Sequence, residues 1–468
     1  MNIKFGTDGW RGIIAKDFTF DNVTLVTKAI ANYLHKVQRD KKIIIGYDNR
    51  FLSDEFAFCA AKVLVEEGIR VYMVKSATPT PVIAYTVKDL EADGAIMITA
   101  SHNPPEHNGL KFIPHYAGPA LPEITDQIVN ELNSITQESN KEYDNEEIVF
   151  IDPKESYFNH IKEIIDIDLI KNSNLKVVVD PMFGAGVDFL DYYLNSLGVS
   201  VTTIHNYRDV LFGGEMPEPK PELLGELILR MKQVKADLGL ALDGDADRLA
   251  VADSLGNFIS PNQTLSTLMK YLIDYKGYSG CVARTVATTH MLDRIGERYN
   301  IEVLETPVGF KYIGQKMIEN DAFIGGEESG GLSIANHIPE KDGILAALLV
   351  VEMVARTNQS PSEKYEKLQK EFGPLYSNRL DIKCSESQKR EIIDMMKDLE
   401  VDQIIDKKVV KRVEIDGLKF ILEDNSWVLV RPSGTEAVFR IYAESKNNDL
   451  VKKIQKDMCK ILNLNYNK

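Results

Sequence analysis

The stretch "LDGDADRLAVAD", residues 242 to 253, sets carboxylates at Asp243, Asp245 and Asp247, with Arg248 directly after them. Two carboxylates about 4 Å apart repel by roughly 4 kcal/mol at an effective dielectric of 20. Three crowded together at the end of an apolar run call for a divalent cation, and an all-oxygen donor set suits Mg²⁺ or Ca²⁺. An EF-hand loop would need Gly at 248 and Glu at 254, where Arg and Ser stand. A dehalogenase-type phosphatase would carry Thr or Val where Asp247 stands.

Other stretches offer complementary chemistry. In "ITASHNPPEHNG" (98–109) Ser101 presents a hydroxyl where the apolar run "GAIMI" gives way to turn formers. The stretch lacks the GxSxG elbow of a hydrolase nucleophile. His102 and His107 are close in sequence, but a neighbouring histidine rarely orients an adjacent hydroxyl, so taken alone Ser101 reads as a turn residue. "RPSGTEAVFR" (431–440) supplies the hydroxyls and mobile N–H groups of Ser433, Gly434 and Thr435, the makings of an anion nest. Arg431 adds a planar fork for phosphate oxygens, with Arg440 returning on the next strand, although a plain hairpin turn would also explain the Ser-Gly pair. "GEESGG" (326–331) offers Glu327 and Ser329, partners for sugar hydroxyls.

These loops need elements to position them. "KKIIIGYDN" reads as a strand, "DEFAFCAAKVLVEEG" as a helix closed by Gly68, and "VYMV" as the next strand. The pattern restarts at "LKVVVD" (175–180) with a helix over 187–197, and again at "GCVARTVATT" with helices over 290–299 and 310–320. Strands separated by helices predict parallel α/β units. The runs "GAIMIT", "LGLALD" and "AFIG" each feed one of the polar loops. Ligands of open parallel sheets bind beyond the carboxyl ends of the strands, so three such loops would converge on one cleft. Boundaries fall in the charged "ESNKEYDNEEIVFIDP" (138–153), the turn "DSLGNF" (253–258) and "EFGPLYSNR" (371–379). They divide the chain into 1–152, 153–254 and 255–373, three α/β domains, and 374–468, an α+β domain.

Composition bounds the partners. With 468 residues, 44% of them hydrophobic, the chain can bury a large core. A net charge of −15, from 55 basic and 70 acidic residues, argues against nucleic acid as a partner. An anionic substrate would then be drawn in by local cationic clusters. The cysteines at 59, 281, 384 and 459 form no CxxC pair, so structural zinc and a disulfide framework are not expected. The N-terminal "MNIKFGTDGWRG" lacks the apolar stretch of a signal peptide, and no run is long enough to span a bilayer. A cytoplasmic protein with no membrane partner is the expectation.

Taken in order, "TASHNP", "DGDADR", "GEESGG" and "RPSGTE" resemble the α-D-phosphohexomutase family, as do "FGTDGWRG" and "HIPEKDG" (337–343). The resemblance implies three related mixed α/β domains around a central cleft plus a C-terminal α+β domain. It implies phosphoryl transfer between the 1- and 6-positions of a hexose phosphate, through a phosphoserine at Ser101 and a bisphosphorylated sugar. Mg²⁺ would be held by Asp243, Asp245, Asp247 and the Ser101 phosphate, and glucose 1,6-bisphosphate would serve as activator and intermediate. The family pattern assigns Arg11, His102, Lys111 and Lys341 to the transferring group. Glu327 and Ser329 go to the sugar hydroxyls, with Arg248 and Lys311 as further substrate contacts. Arg431, Ser433, Gly434, Thr435 and Arg440 go to the distal phosphate. Glu328 looks more like the glucose-specific branch than the glucosamine branch (often Gln there) or the dual mannose/glucose enzymes (often Met). Phosphoglucomutase is therefore expected first, a phosphomannomutase or dual enzyme second, a phosphoglucosamine mutase third and a non-catalytic sugar-phosphate binder last. A monomer or homodimer would serve.

Overall fold

The computed structural model describes residues 3, 9–38, 42–135, 148–434 and 437–466. Most of the first boundary segment, 138–153, and part of "FGTDGWRG" lie outside the described residues.

Four sheets follow one another along the chain. The first runs, in spatial order, Trp10–Ile13, His107–Pro114, Gly94–Ile98, Lys42–Tyr47, Arg70–Val74, Ile148–Ile151. The second runs Phe258–Ile259, Leu249–Asp253, Leu238–Leu242, Lys176–Asp180, Ser200–Thr203. The third runs Glu302–Thr306, Cys281–Thr285, Ala322–Gly326, Leu332–Ile334. Each has a parallel centre, formed where apolar runs such as Val177–Val179 are buried on both faces.

The sheets are mixed rather than purely parallel, and the departure is the same in all three. Gly94–Ile98, Leu238–Leu242 and Ala322–Gly326 are each followed by an irregular loop and a strand that returns antiparallel beside them. A crossover helix would have carried the chain away from the edge. A hairpin instead pins both ends of the loop at the carboxyl end of the parallel strand. The turn 253–258 also joins two paired strands, Ala252 facing Phe258, so the second sheet continues past the expected boundary at 254/255 to Ile259.

The fourth sheet is wholly antiparallel, ordered Tyr376–Lys383, Val438–Ser445, Trp427–Pro432, Leu418–Leu422, Lys407–Val413, Gln403–Ile404, and is backed by helices Glu386–Lys397 and Asn448–Ile461. Among the described residues no helix is long and apolar enough to cross a membrane.

Candidate active site

The Ser101 loop and the carboxylate loop meet. Ser101 Oγ donates to Asp243 Oδ2 at 2.9 Å, across the boundary between the first and second sheets. Ser101 is 1% exposed and takes a left-handed backbone with φ 53°. His102 lies closer than sequence adjacency suggested, because this left-handed turn brings its Nδ1 to 3.2 Å from Ser101 Oγ. Burial, then the cations of Arg248, Arg11, Lys220 and Lys111, push the His102 imidazole well below its usual range, so it is neutral at pH 7. Arg11 reaches the rim of the loop, donating to Asn103 Oδ1 at 2.7 Å.

Asp243, Asp245 and Asp247 are buried, and each offers an oxygen within 4.8 Å of the others. Asp243 Oδ1 accepts the backbone N–H groups of Asp247 and Arg248 at 2.9 and 3.1 Å, which folds the loop back on itself. Burial and the two neighbouring carboxylates raise the Asp243 carboxyl well above its ordinary value. The loop is held from the first unit by Thr80, whose Oγ1 donates to Asp245 Oδ2 at 2.7 Å. Two buried ammonium groups offset part of the negative charge. Lys111 Nζ stands 2.9 Å from Asp245 Oδ2 and 3.4 Å from Asp247 Oδ2, and Lys341 Nζ 3.2 Å from Asp247 Oδ2. Asp247 Oδ1 is buried and accepts no hydrogen bond among the described residues. Three converging carboxylates with an oxygen left over fit a hard divalent cation such as Mg²⁺.

Lys341 connects this centre to the 326–331 loop. Its aliphatic stem packs so closely on Gly331 that a Cβ there would lie 2.4 Å from Lys341 Cδ. Glu327 accepts from Gly309 N at 3.1 Å and from Ser329 Oγ at 3.2 Å. Burial pushes its carboxyl up to about 7, with Lys341 pulling the other way. Glu328 is turned to a different pair, accepting from Thr285 and Thr288. Arg248 carries its side chain toward Glu218 at 3.6 Å. Lys311 lies in the first turn of the helix Phe310–Asn320, its ammonium 5.2 Å from the Tyr312 ring centre.

The C-terminal unit reaches the backbone that holds Glu327. Asp416 Oδ2 accepts from Arg431 Nε at 2.7 Å and from Val308 N at 3.1 Å, so Arg431 is tied to the backbone beside Gly309. Arg440 lies directly opposite Arg431 on the neighbouring strand. Like charges in that register repel unless an anion lies between them. Ser433 N donates to Val438 O and its carbonyl accepts from Lys389, while Gly434 stands open at the turn. Thr435 lies outside the described residues.

Sequence reasoning missed Arg50, which is 0% exposed and threads the Ser101 loop, and Asp416, which ties Arg431 to the backbone of Val308. The sequence carried no local sign of either role, because their partners lie far away along the chain.

A buried serine beside three carboxylates, joined through Lys341 to the Glu327 loop, is an arrangement suited to the phosphoryl-handling class of proteins. The chain matches, in order, the four domain profiles of phosphoglucomutase/phosphomannomutase: alpha/beta/alpha domain I over residues 2–139, domain II over 155–256, domain III over 260–372, and the C-terminal domain over 381–461. It is 32% identical over 452 residues to the phosphoglucomutase/phosphomannomutase of Thermococcus kodakarensis, covering 96% of each chain. It is also 32% identical to the phosphoglucosamine/phosphogalactosamine mutase of Sulfurisphaera tokodaii, covering 99% of each. A crystal structure described as a putative phosphomannomutase from Thermus thermophilus superposes with a TM-score of 0.87 at 33% identity, covering 99% of each chain. The chain belongs to the phosphoglucomutase/phosphomannomutase family, the α-D-phosphohexomutases.

Proposed function

We propose that the protein interconverts the 1- and 6-phosphates of a hexose, glucose first, by passing a phosphoryl group through Ser101. The observation that carries this reading is Ser101 Oγ, 2.9 Å from Asp243 Oδ2, within a buried carboxylate cluster. Asp243, Asp245, Asp247 and the Ser101 side chain would hold Mg²⁺, whose charge stabilises a phosphoryl group in transfer.

When Ser101 takes a phosphoryl group, its Oγ–H bond breaks as the O–P bond forms. The proton acceptors within reach are Asp243 Oδ2 at 2.9 Å and the neutral His102 Nδ1 at 3.2 Å. In the other direction the Oγ–P bond breaks as the phosphoryl group passes to a sugar hydroxyl, whose displaced proton returns to Ser101 Oγ by way of the same acceptors, giving a hexose bisphosphate. That sugar must turn end for end before its other phosphate returns to Ser101. Lys111, Lys341 and Arg11 supply positive charge at the transferring end. Glu327 and Ser329 receive the sugar hydroxyls in both orientations. The distal phosphate goes to Arg431, Arg440 and the 433–435 turn, with Arg248 and Lys311 at the edges.

Incubation with glucose 1-phosphate, Mg²⁺ and catalytic glucose 1,6-bisphosphate tests the reading. Glucose 6-phosphate is the expected product. Release of free phosphate would mark a phosphatase, and no conversion a binding protein. Intact mass of fresh protein should show a fraction heavier by one phosphate, absent in Ser101→Ala, which should also lose turnover.

A second reading, use of mannose 1-phosphate as well, is favoured by the Glu328 carboxylate being engaged by Thr285 and Thr288. A side chain held there selects weakly between sugars. Comparing kcat/KM for glucose, mannose and glucosamine 1-phosphates decides it.

A further inference from the structure

The tripeptide Asp48-Asn49-Arg50 follows the strand Lys42–Tyr47 and has all three side chains buried. Each holds a different piece of the site. Asp48 Oδ2 accepts from Thr99 Oγ1 at 2.6 Å, and Thr99 Oγ1 in turn accepts from Ser101 N at 2.9 Å. Arg50 Nη2 donates to the carbonyls of Ser101 and Asn103, both at 2.6 Å. Its Nη1 donates to those of Pro104 and His107, at 2.9 and 3.0 Å. Asn49 crosses into the second unit, its Nδ2 donating to Phe183 O at 3.0 Å and Gly184 O at 2.8 Å.

Gly184 is the back wall of the carboxylate loop: Ala185 N donates to Gly244 O at 2.9 Å, and a Cβ on Gly184 would lie 2.6 Å from that oxygen. Gly244 rests against Ser101 in turn, since a Cβ on it would lie 2.4 Å from Ser101 O. That carbonyl is one of the four that Arg50 holds. The contacts therefore close a ring from Arg50 through Ser101, Gly244, Gly184 and Asn49 back to Arg50.

Packing alone does not require a guanidinium at this place. Burying one costs several kcal/mol unless it is compensated, here by Asp48 at 3.2 Å. The planar fork, however, fixes the directions of several acceptors at once, which no apolar residue or lysine can do. The Phe212 ring of the second unit covers its face at 5.0 Å.

We infer that Asp48-Asn49-Arg50 is a strut that sets the separation of Ser101 Oγ and the Asp243 carboxylate across the joint between the first two units, with Arg50 as the main positioning residue. The inference rests on the phosphoryl-transfer reading above. A shift of the nucleophile by about 1 Å lowers turnover by roughly 100-fold. Arg50→Ala in the full-length protein should accordingly lose about 100-fold in kcat with KM for glucose 1-phosphate nearly unchanged. Added guanidinium at sub-denaturing concentration should restore part of it, whereas Arg50→Lys should not recover. Asn49→Ala keeps the fork but frees the second unit, so it should lose about tenfold in kcat and need more Mg²⁺ for half-maximal rate.

A folded Arg50→Ala that keeps kcat, raises only KM, or ignores guanidinium overturns the strut. Should Arg50→Ala fail to fold, Asn49→Ala with unchanged kcat and Mg²⁺ dependence overturns it equally. A wild-type protein that converts nothing takes down the transfer reading and the strut with it. Wild-type turnover beside an indifferent Arg50→Ala takes down the strut alone.

Discussion

At the scale of single residues, Glu327 sits between two charge states at neutral pH, because burial pushes its carboxyl up to about 7. On the proposed reading Glu327 accepts sugar hydroxyls, and protonation turns one of its oxygens into a donor that cannot serve them in the same way. The expected pH profile of kcat/KM therefore rises through about 7, and Glu327→Gln should flatten that limb. Stability runs the opposite way. The folded state binds this proton more tightly than the unfolded chain, so the contribution is complete below the unfolded value of 4.5 and lost as pH climbs through about 7. Thermal melts at pH 8 should accordingly show Glu327→Gln above the wild type. The three aspartates stood out in the sequence because their acidic loop interrupts strongly apolar strands, whereas Ser101 and Glu327 gained weight only from the ordered set of motifs around them. Arg50 was not: its acceptor Ser101 lies 51 positions away, and Asn49 reaches across 134 to Phe183. Asp416 meets Val308 across 108. No local pattern encodes such separations.

At the scale of elements, the same hairpin device carries all three functional loops, and its tolerance is set by glycines placed where backbones touch. Gly244→Ala would press a Cβ to 2.4 Å from the Ser101 carbonyl, and neither backbone can yield independently. The expected result is a folded protein with kcat lowered by about 100-fold, checked by circular dichroism beside steady-state rates. The parallel strands were readable from their apolar runs. The antiparallel returns were harder to read, because His107–Pro114, Leu249–Asp253 and Leu332–Ile334 are buried almost throughout. Burial on both faces erases the period-two alternation that marks an antiparallel strand with one wet side.

At the scale of the whole molecule, the C-terminal unit docks on the third through buried polar groups as well as apolar ones. Lys419, 0% exposed, donates to Val286 O at 2.8 Å and to Glu305 Oε1 at 3.0 Å, while Glu444 accepts from His290 N at 2.9 Å. Lys419→Met should loosen this seat by on the order of 3 kcal/mol, seen as an earlier, separate unfolding step for the last hundred or so residues in urea. On the same seat, Arg431 is neutralised by Asp416. The protein thus carries its own placeholder anion, and any guest must outbid a carboxylate already in position. A singly charged sugar acid gains little by that exchange, whereas a dianionic phosphate brings twice the charge. On the proposed reading, docking at Arg431 would therefore select for valence before the shape of the sugar matters.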